Sequence, residues 1–229
     1  MSERVAPTIP LFQAEPDDEP VVRRFHDLYY GNPARTWNNT FWRGVRALKC
    51  PLDLWIYQEI IFETQPDVII ETGTAHGGGA WFLGDMCELA GNGRVITVDI
   101  DADATPEHPR VTYIAGDSVA PETFSQVTDL IDEGESVMVV LDSRHLRDHV
   151  IKELHLYQDL VRKGHYLIAE DTNLNLNPRG HRHGPDPRPG PYEAVRQFLA
   201  EQDRFEIDRS REKFFMTLNL NGYLRCIAD

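Results

Sequence analysis

The periodicity of apolar positions changes at about residue 67 of this 229-residue chain. Beyond that point, short runs rich in β-branched residues alternate with amphipathic stretches of helical spacing. The runs predict strands at residues 68–71, 94–99, 111–115, 137–141 and 166–169. The stretches between them predict helices at residues 78–89, 122–131, 146–161 and 192–202. Strands that are apolar on both faces and alternate with helices favour an α/β fold with a mostly parallel sheet.

The two ends of the chain depart from this alternation. Residues 1–20 contain four prolines and an acidic stretch, and we predict an N-terminal extension at residues 1–40 with a helix at 21–30. The remainder, residues 41–229, is predicted to form one domain, with a long lid-like loop at 175–191. Near the C-terminus, strand-like runs without an intervening helix lie at 205–208, 214–219 and 223–227. They predict an antiparallel hairpin at the edge of the sheet.

Composition narrows the classes of partner. The formal net charge of −14 argues against nonspecific binding to nucleic acid or to an anionic membrane, because their phosphates would repel the protein. The sequence holds no apolar run of membrane-spanning length, and its polar, acidic start does not resemble a signal peptide. Three scattered cysteines indicate buried free thiols in a reducing compartment. We therefore expect a cytoplasmic protein whose partner is a small molecule.

A glycine-rich turn follows the first predicted strand of the parallel sheet. It reads Glu71-Thr72-Gly73-Thr74, and a run of three glycines that includes Gly78 then opens the next helix. Such a turn lets the backbone approach a ligand closely, although it also serves as a plain strand-to-helix connection. Its spacing departs from the GxGxxG pattern of dinucleotide folds and is closer to the ExGx pattern of S-adenosylmethionine-dependent methyltransferases. The sequence therefore favours a methyl donor over NAD, with Glu71 facing the methionine end.

Polar residues at the next two strand ends support a nucleotide-like cofactor. Asp99 ends the second strand, where its carboxylate can accept hydrogen bonds from ribose hydroxyls. Asp117 and Ser118 follow the third strand, where they can meet an adenine edge. We predict that these three residues, together with Glu71, Gly73, Thr74 and Gly78, bind the cofactor.

Acidic residues follow two later strands that are expected to be neighbours. Asp142 comes directly after the run 137–141, and Glu170 and Asp171 come after the run 166–169. Carboxylates that converge at one sheet edge repel one another unless a positive charge lies between them. A single acid there can instead cap a helix, but three together favour a hard divalent cation such as Mg²⁺.

His145 lies three residues after Asp142 and is predicted to face the same crevice. A neutral imidazole at that place can accept the proton of a substrate hydroxyl, which makes His145 and Asp142 the candidate catalytic residues. The alternative is a histidine that caps its helix or pairs with a nearby acid. His149 and His155 follow on the same helix and are predicted to be surface residues.

Four segments of the sequence resemble one known family. They read LKCPLDLWIYQEII from Leu48, PDVIIETGT from Pro66, LDSRH from Leu141 and AEDT from Ala169. These segments resemble the cephalosporin hydroxylase / rhamnosyl O-methyltransferase family. The resemblance implies a Rossmann-like class I methyltransferase fold, whose mostly parallel seven-stranded sheet ends in an antiparallel hairpin.

The same resemblance implies a set of ligands and roles. It implies S-adenosylmethionine, a Mg²⁺-type cation and a homo-oligomer, with Asp142, Glu170 and Asp171 as metal ligands and His145 as the base. A Glu-Asp pair with a histidine differs from the Asp-Asn pair and lysine of catechol methyltransferases, and fits a sugar hydroxyl better. A nucleotide-linked deoxysugar or a glycosylated natural product of secondary metabolism, including antibiotic biosynthesis, is the expected acceptor. The locally basic segment 179–188 is expected either to attract a sugar diphosphate or to form a solvated lid.

Two other functions stay open on the sequence. The family name includes a β-lactam hydroxylase, although no two-histidine, one-carboxylate iron site is recognisable in the chain. A catalytically inactive, methyltransferase-like partner subunit is the second, although the acids, His145 and the glycine turn are all retained.

Overall fold

The computed structural model of the chain describes residues 19–31, 33–34, 36–101, 106–174 and 188–229. Its helices are α1 (Glu19–Gly31), α2 (Pro51–Thr64), α3 (Gly78–Ala90), α4 (Pro121–Thr128), α5 (Arg147–Tyr157) and α6 (Pro191–Glu201). A short hairpin is formed by β1 (Phe41–Trp42) and β2 (Val45–Arg46). The strands of the main sheet are β3 (Val68–Thr72), β4 (Arg94–Asp99), β5 (Val111–Ala115), β6 (Val137–Leu141), β7 (Tyr166–Ala169), β8 (Phe205–Ile207) and β9 (Tyr223–Cys226).

The main sheet confirms the predicted fold class. Its seven strands lie in the order β5-β4-β3-β6-β7-β9-β8. Strands β3 to β7 run parallel, whereas β9 is antiparallel to both β7 and β8. All five strands predicted between residues 67 and 170 are present, and the antiparallel C-terminal pair is present as well.

Strand register brings the chemical groups to one edge of the sheet. Thr72 at the end of β3 pairs with Leu141 at the end of β6, and Leu141 pairs with Ala169 at the end of β7. The residues that come directly after these ends, Gly73, Asp142 and Glu170, therefore emerge side by side. This is the edge at which open α/β sheets bind ligands.

Two apolar layers enclose the sheet because alternate residues of each strand face opposite sides. Val68 and Ile70 of β3 pack with residues of α5 and α6, whereas Ile69 between them packs with residues of α2 and α3. All three side chains are completely buried. The sheet is thus held rigidly from both faces, which fixes the positions of its strand ends.

Gly73 makes the junction of β3 and β6 possible. Its φ is +88°, and a Cβ atom at this position would lie 2.0 Å from the carbonyl oxygen of Asp142. Any side chain here would force the two strand ends apart. The glycine that was predicted to allow ligand approach thus has a packing requirement of its own.

The strand predicted at residues 214–219 is wrong. The segment forms turns and irregular backbone, in which Phe215 has a φ of +62°. The backbone of Leu218 does not pair with a neighbouring strand. Its N–H donates to Asp53 Oδ2 at 2.9 Å, and its carbonyl oxygen accepts from the N–H of Asn173 at 3.0 Å. Its alternating apolar residues Met216 and Leu218 pack against Cys50, so the alternation reflects packing at the functional site.

The predicted lid is described only at its C-terminal end. Most of the loop at 175–191, and of the basic segment 179–188, lies outside the described residues. None of the described helices combines the length and the apolar character required to cross a bilayer.

Candidate functional site

Two cavities adjoin at the carboxyl edge of the sheet. The larger has a volume of about 410 Å³ and lies over the ends of β4 and β5. The smaller, of about 200 Å³, lies over the ends of β3, β6 and β7. Gly73, Asp99 and Ser143 line both of them, so the two cavities share a wall.

The larger cavity contains four of the predicted cofactor residues, namely Gly73, Asp99, Asp117 and Ser118. Backbone amides fix the two acids, because Asp99 Oδ2 accepts from the N–H of Ala75 at 2.8 Å and Asp117 Oδ1 accepts from that of Val119 at 3.1 Å. Both carboxylates are thus held in place with oxygen atoms available at the cavity. This arrangement suits a ligand that presents hydroxyl or amino donors.

Helix α5 contributes to the larger cavity in a way that the sequence did not indicate. His149 was predicted to be a surface residue, but it lines this cavity and lies 3.2 Å from Ser118 Oγ. Beneath it, the fully buried Glu153 accepts hydrogen bonds from Ser118 at 2.6 Å and Ser143 at 2.7 Å. This carboxylate ties the ends of β5 and β6 to α5.

The remaining predicted cofactor residues lie deeper. Glu71 is buried, accepts from Thr97 Oγ1 at 2.7 Å, and lines the smaller cavity together with Thr74. Burial raises the pKa of Glu71 to about 7, against the opposing charge of Lys49. Gly78 lines neither cavity; a Cβ atom there would lie 2.3 Å from the carbonyl oxygen of Arg46, so it seats α3 against the β1–β2 hairpin.

An acidic cluster with one histidine forms the floor of the smaller cavity. His145 lies between two carboxylates, with Nε2 3.1 Å from Asp142 Oδ1 and Nδ1 3.3 Å from Asp171 Oδ2. One possible ligand atom from each of the three residues lies within 4.8 Å of the other two. The structure therefore brings together the predicted metal ligands Asp142 and Asp171 and the predicted base. His145 precedes α5 rather than lying on its first turn.

Glu170 turns toward a different partner. Lys49 Nζ lies 2.6 Å from Glu170 Oε1 and 2.6 Å from Asp142 Oδ2, and 3.8 Å from Glu71 Oε1. Tyr57 also donates its hydroxyl to Glu170 Oε1 at 2.7 Å. Glu170 is therefore next to the cluster but is not one of its three members.

Lys49 is the internal counter-charge of this edge. Its side chain is only 4% exposed, and burial alone would lower its pKa. The carboxylates of Asp142, Glu170 and Glu71 outweigh that effect and hold the pKa of Lys49 well above its usual range. Conversely, burial would raise the pKa of Asp142, but Lys49 and His145 together lower it. The structure thus keeps Lys49 protonated and Asp142 ionised.

His145 supplies the second positive charge. Burial would lower its pKa, but Asp171, Asp142 and Glu170 raise it to about 9. Without a metal ion, the imidazole is therefore a cation at neutral pH. A proton acceptor must be neutral, so a base at this position requires another positive charge among the acids.

The donor set fits a hard divalent cation. The carboxylates of Asp142 and Asp171 converge on one point and provide oxygen ligands of the kind that Mg²⁺ prefers. Glu170 lies beside them, since Lys49 contacts both Asp142 and Glu170. The strained backbone of Asp171, with a φ of +55°, aims its side chain into the cluster, and its N–H lies 3.3 Å from Asn219 Oδ1. A divalent ion would replace the charge that His145 now supplies.

Sequence reasoning missed Lys49, Tyr57 and Asn219, which position the acids. Lys49 lies just before α2, 93 residues from Asp142, and Tyr57 lies within α2, 113 residues from Glu170. Asn219 Nδ2 supports the Tyr57 hydroxyl at 3.0 Å. Lys49 and Tyr57 both lie in the apolar segment that begins at Leu48, which was recognised only for its resemblance to the family.

Comparison with known proteins identifies the family. The family model Rhamnosyl O-methyltransferase/CmcI matches residues 34–227. The chain belongs to this family. A rhamnosyl O-methyltransferase of Mycobacterium leprae is similar to this chain. The two are 37% identical over 211 residues, which cover 89% of this chain and 90% of the relative. A Mycobacterium tuberculosis protein of the same name is 36% identical over 213 residues, covering 89% and 84% respectively.

Solved structures of related proteins agree with the fold. The magnesium and S-adenosylmethionine complex of CmcI is 25% identical and superposes with a TM-score of 0.65, over 83% of this chain and 78% of that one. An O-methyltransferase of Bacillus cereus, 17% identical, superposes with a TM-score of 0.51 over 87% and 84%, and shows likeness of fold alone. The family and the class I methyltransferase fold expected from the sequence are thus confirmed for this member of the Rhamnosyl O-methyltransferase/CmcI family.

We expect Lys49→Met to destabilise the metal-free protein. It removes a buried cation from three carboxylates, two of them buried, a change that typically costs about 3–5 kcal/mol of unfolding free energy. Urea denaturation of chelator-treated protein measures the loss, and added Mg²⁺ should restore part of it. Lys152→Met, at an exposed position of α5, is the control and should stay within about 0.5 kcal/mol of wild type. Equal stability of the two variants would contradict the counter-charge role.

We also expect the metal-free protein to lose stability between about pH 6.5 and pH 9. The pKa of His145 is about 9 in the folded protein and about 6.5 in an unfolded chain. Its stabilising charge is therefore fully present below pH 6.5 and is lost as the pH rises through 9. In His145→Asn this decline should flatten, whereas His155→Asn, on the exposed side of α5, should keep it. Unfolding midpoints across that pH range test the expectation, which fails if both variants behave alike.

Proposed function

We propose that this protein is an S-adenosylmethionine-dependent, Mg²⁺-dependent O-methyltransferase that acts on a sugar hydroxyl. The observation that carries the proposal is the acid–histidine cluster of Asp142, His145 and Asp171, which shares a wall with a larger cavity lined by Asp99 and Asp117. One cavity has the polar groups for a nucleoside-like donor. The other has the charges for an acceptor hydroxyl. Membership of the Rhamnosyl O-methyltransferase/CmcI family supports the assignment of one cavity to a methyl donor and of the other to an acceptor.

The larger cavity would hold the methyl donor. Asp99, which lines it, would accept hydrogen bonds from the ribose, and Asp117 and Ser118 would meet the base. Glu71 and Thr74 lie toward the methionine end, on the wall of the smaller cavity. Gly73 allows close approach at the junction, and Gly78 acts indirectly by seating α3. When bound, the donor supplies an electrophilic methyl group on a positively charged sulfur.

Asp142 and Asp171 would hold the metal ion, and Glu170, which lies beside them, would be the third carboxylate of the set. Bound Mg²⁺ supplies a Lewis acid that lowers the pKa of a hydroxyl and stabilises its developing negative charge. The residues around it do the positioning. Tyr57 and Asn219 hold Glu170 in place, and the αL backbone of Asp171 directs its carboxylate into the cavity.

His145 accepts the proton of the acceptor hydroxyl. Its side chain is 35% exposed at the smaller cavity, so that a hydroxyl can reach it. One ring nitrogen would exchange its carboxylate contact for the acceptor hydroxyl, while the contact of the other nitrogen holds the ring in place. In-line transfer requires the acceptor oxygen, the methyl carbon and the sulfur to be aligned. The rigid junction at Gly73, which lines both cavities, sets that alignment.

A sugar is the acceptor that best suits this machinery. A sugar hydroxyl is a weak acid and needs both a metal ion and a base. The relatives from two mycobacteria are named rhamnosyl O-methyltransferases, which supports a deoxysugar. A nucleotide-linked deoxysugar or a glycosylated natural product, within secondary metabolism such as antibiotic biosynthesis, is our proposed substrate. The basic segment 179–188, most of it outside the described residues, is proposed to attract the diphosphate of a nucleotide-linked sugar.

The protein is further proposed to work in the cytoplasm as a homo-oligomer, without nucleic acid or membrane partners. The net charge of −14 supports the last two points. For oligomerisation, α1 exposes Val21, Phe25 and Leu28 at helical spacing along one face, which a second copy of the chain would cover.

Neither alternative function gains support from the geometry. In the part of the chain that the structure describes, each of the two groups able to share an ion has one histidine and two carboxylates, not the two histidines and one carboxylate of an iron oxygenase. The second group centres on Asp85, which Trp42 and Arg43 already hold at 2.7 and 2.8 Å. An inactive partner subunit has no need for a cluster of opposed charges beside an open cavity.

We expect two substitutions to distinguish the role of His145 as proton acceptor from that of Asp142 as metal ligand. His145→Ala removes the proton acceptor and should lower kcat by about 100-fold or more while leaving S-adenosylmethionine affinity unchanged. Asp142→Asn should lower activity and raise the Mg²⁺ concentration needed for half-maximal rate. Transfer of a labelled methyl group from S-adenosylmethionine to a panel of rhamnosides measures the rates.

His155→Ala is the matched control, since His155 lies on α5 and pairs with Glu201 on the outer surface. It should retain wild-type kcat. Full activity in both site variants would show that the site assignment is wrong. Labelled-methyl transfer by wild type that persists after chelation would overturn the metal role alone.

A further inference from the structure

Two aromatic side chains from the N-terminal part of the chain lie at the smaller cavity. Tyr30 is in the last turn of α1, and Trp37 is in a single 3₁₀ turn, Thr36–Asn38. Their rings stack almost parallel, with centroids 5.3 Å apart and an interplanar angle of 9°. Both residues line the same 200 Å³ cavity as Asp142, His145 and Asp171.

The stack is anchored next to the reactive groups. Tyr30 packs against the apolar cluster of Cys50, Met216 and Leu218, and Leu218 lines the cavity as well. Tyr30 lines the smaller cavity together with Asp142 and Asp171, so its ring lies beside the acids. Tyr30 and Trp37 are only half-buried, so they retain ring surface that a ligand can cover.

The cavity therefore has two walls of opposite character. One is charged and suits a hydroxyl group, and the other is aromatic and suits an apolar surface. A sugar ring has both features: hydroxyls on its rim and a face of polarised C–H bonds, which the electron-rich face of an aromatic ring attracts. A 6-deoxysugar carries a methyl group at C6. Burial of this methyl group against an aromatic wall breaks no hydrogen bonds with water, whereas burial of a C6 hydroxyl there would break them.

We propose that the Tyr30–Trp37 stack is the acceptor platform of this enzyme and that it selects a deoxysugar over the corresponding sugar with a C6 hydroxyl. The inference rests on the proposed function, and it adds the residues that determine substrate specificity. It also gives the segment 19–38 a defined role in the site. The platform acts on binding and selection of the acceptor, and the cluster at Asp142 acts on the chemistry.

The test compares two acceptors that differ in one group. Methyl α-L-rhamnoside and methyl α-L-mannoside differ only by the hydroxyl at C6. With wild type, kcat/KM should favour the rhamnoside by about 10-fold to 100-fold, the range that one such group provides in an apolar pocket. In Trp37→Ala the preference should fall below about threefold, mainly through a higher KM for the rhamnoside, and Trp37→Phe should restore most of it.

Two further measurements separate this role from a structural one. Calorimetric affinities of Trp37→Ala for S-adenosylmethionine and Mg²⁺ should equal those of wild type. Trp55→Ala, which removes a 58% exposed tryptophan of α2 that lines neither cavity, should keep the full preference. An unchanged preference or an unchanged KM in Trp37→Ala would overturn the platform while leaving the proposed function intact. Failure of wild type to methylate either sugar would instead overturn the proposed sugar acceptor, and the platform with it.

Discussion

The structure depends on burying several carboxylates at one sheet edge without leaving their charge uncompensated. The register of the parallel strands carries them there, because each comes at or just after the end of a strand whose neighbour ends at the same level. Isolated buried charges are strongly unfavourable, so the fold must place positive groups among them. In this chain those groups are Lys49 and His145, and the carboxylates are Glu71, Asp142, Glu170 and Asp171.

The two positive groups are not equivalent. Lys49 is buried and contacts three acids at once, which makes it a permanent part of the structure. His145 is partly exposed, faces the cavity and bridges the two acids that a metal ion would share. In the proposed mechanism, a divalent cation at these acids would supply the positive charge, so that the imidazole of His145 could be neutral and act as the base. The same electrostatic requirement thus stabilises the fold and provides the proposed chemistry.

How much of this could be predicted from sequence depended on the distance along the chain between the interacting groups. Strand ends with Asp142 and Glu170-Asp171 were recognisable because a local pattern ends in an acid. The contacts of Lys49 were not, since they join residues 93 and 121 positions apart.

Local patterns also misled at two places. The alternation in 214–219 has the period of a strand, but Met216 and Leu218 pack against Cys50. The N–H of Leu218 donates to α2, and its carbonyl accepts from the segment after β7. His149 was predicted to be a surface residue from its position on the helix, but the face of α5 that carries it borders the larger cavity. Both errors arose because periodicity gives the side that is buried, but not what buries it.

The proposed chemistry requires the cluster of Asp142, His145 and Asp171 to bind a divalent cation. Calorimetric titration of Mg²⁺ into chelator-treated protein saturated with S-adenosylmethionine tests this most directly. We expect one ion per chain, with affinity at least about tenfold weaker in Asp171→Asn. Affinity should be unchanged in Asp148→Asn, an acid on α5 that is 81% exposed. Absence of Mg²⁺ binding to the wild type, or equal binding by Asp171→Asn, would contradict the assignment of this cluster as a metal site.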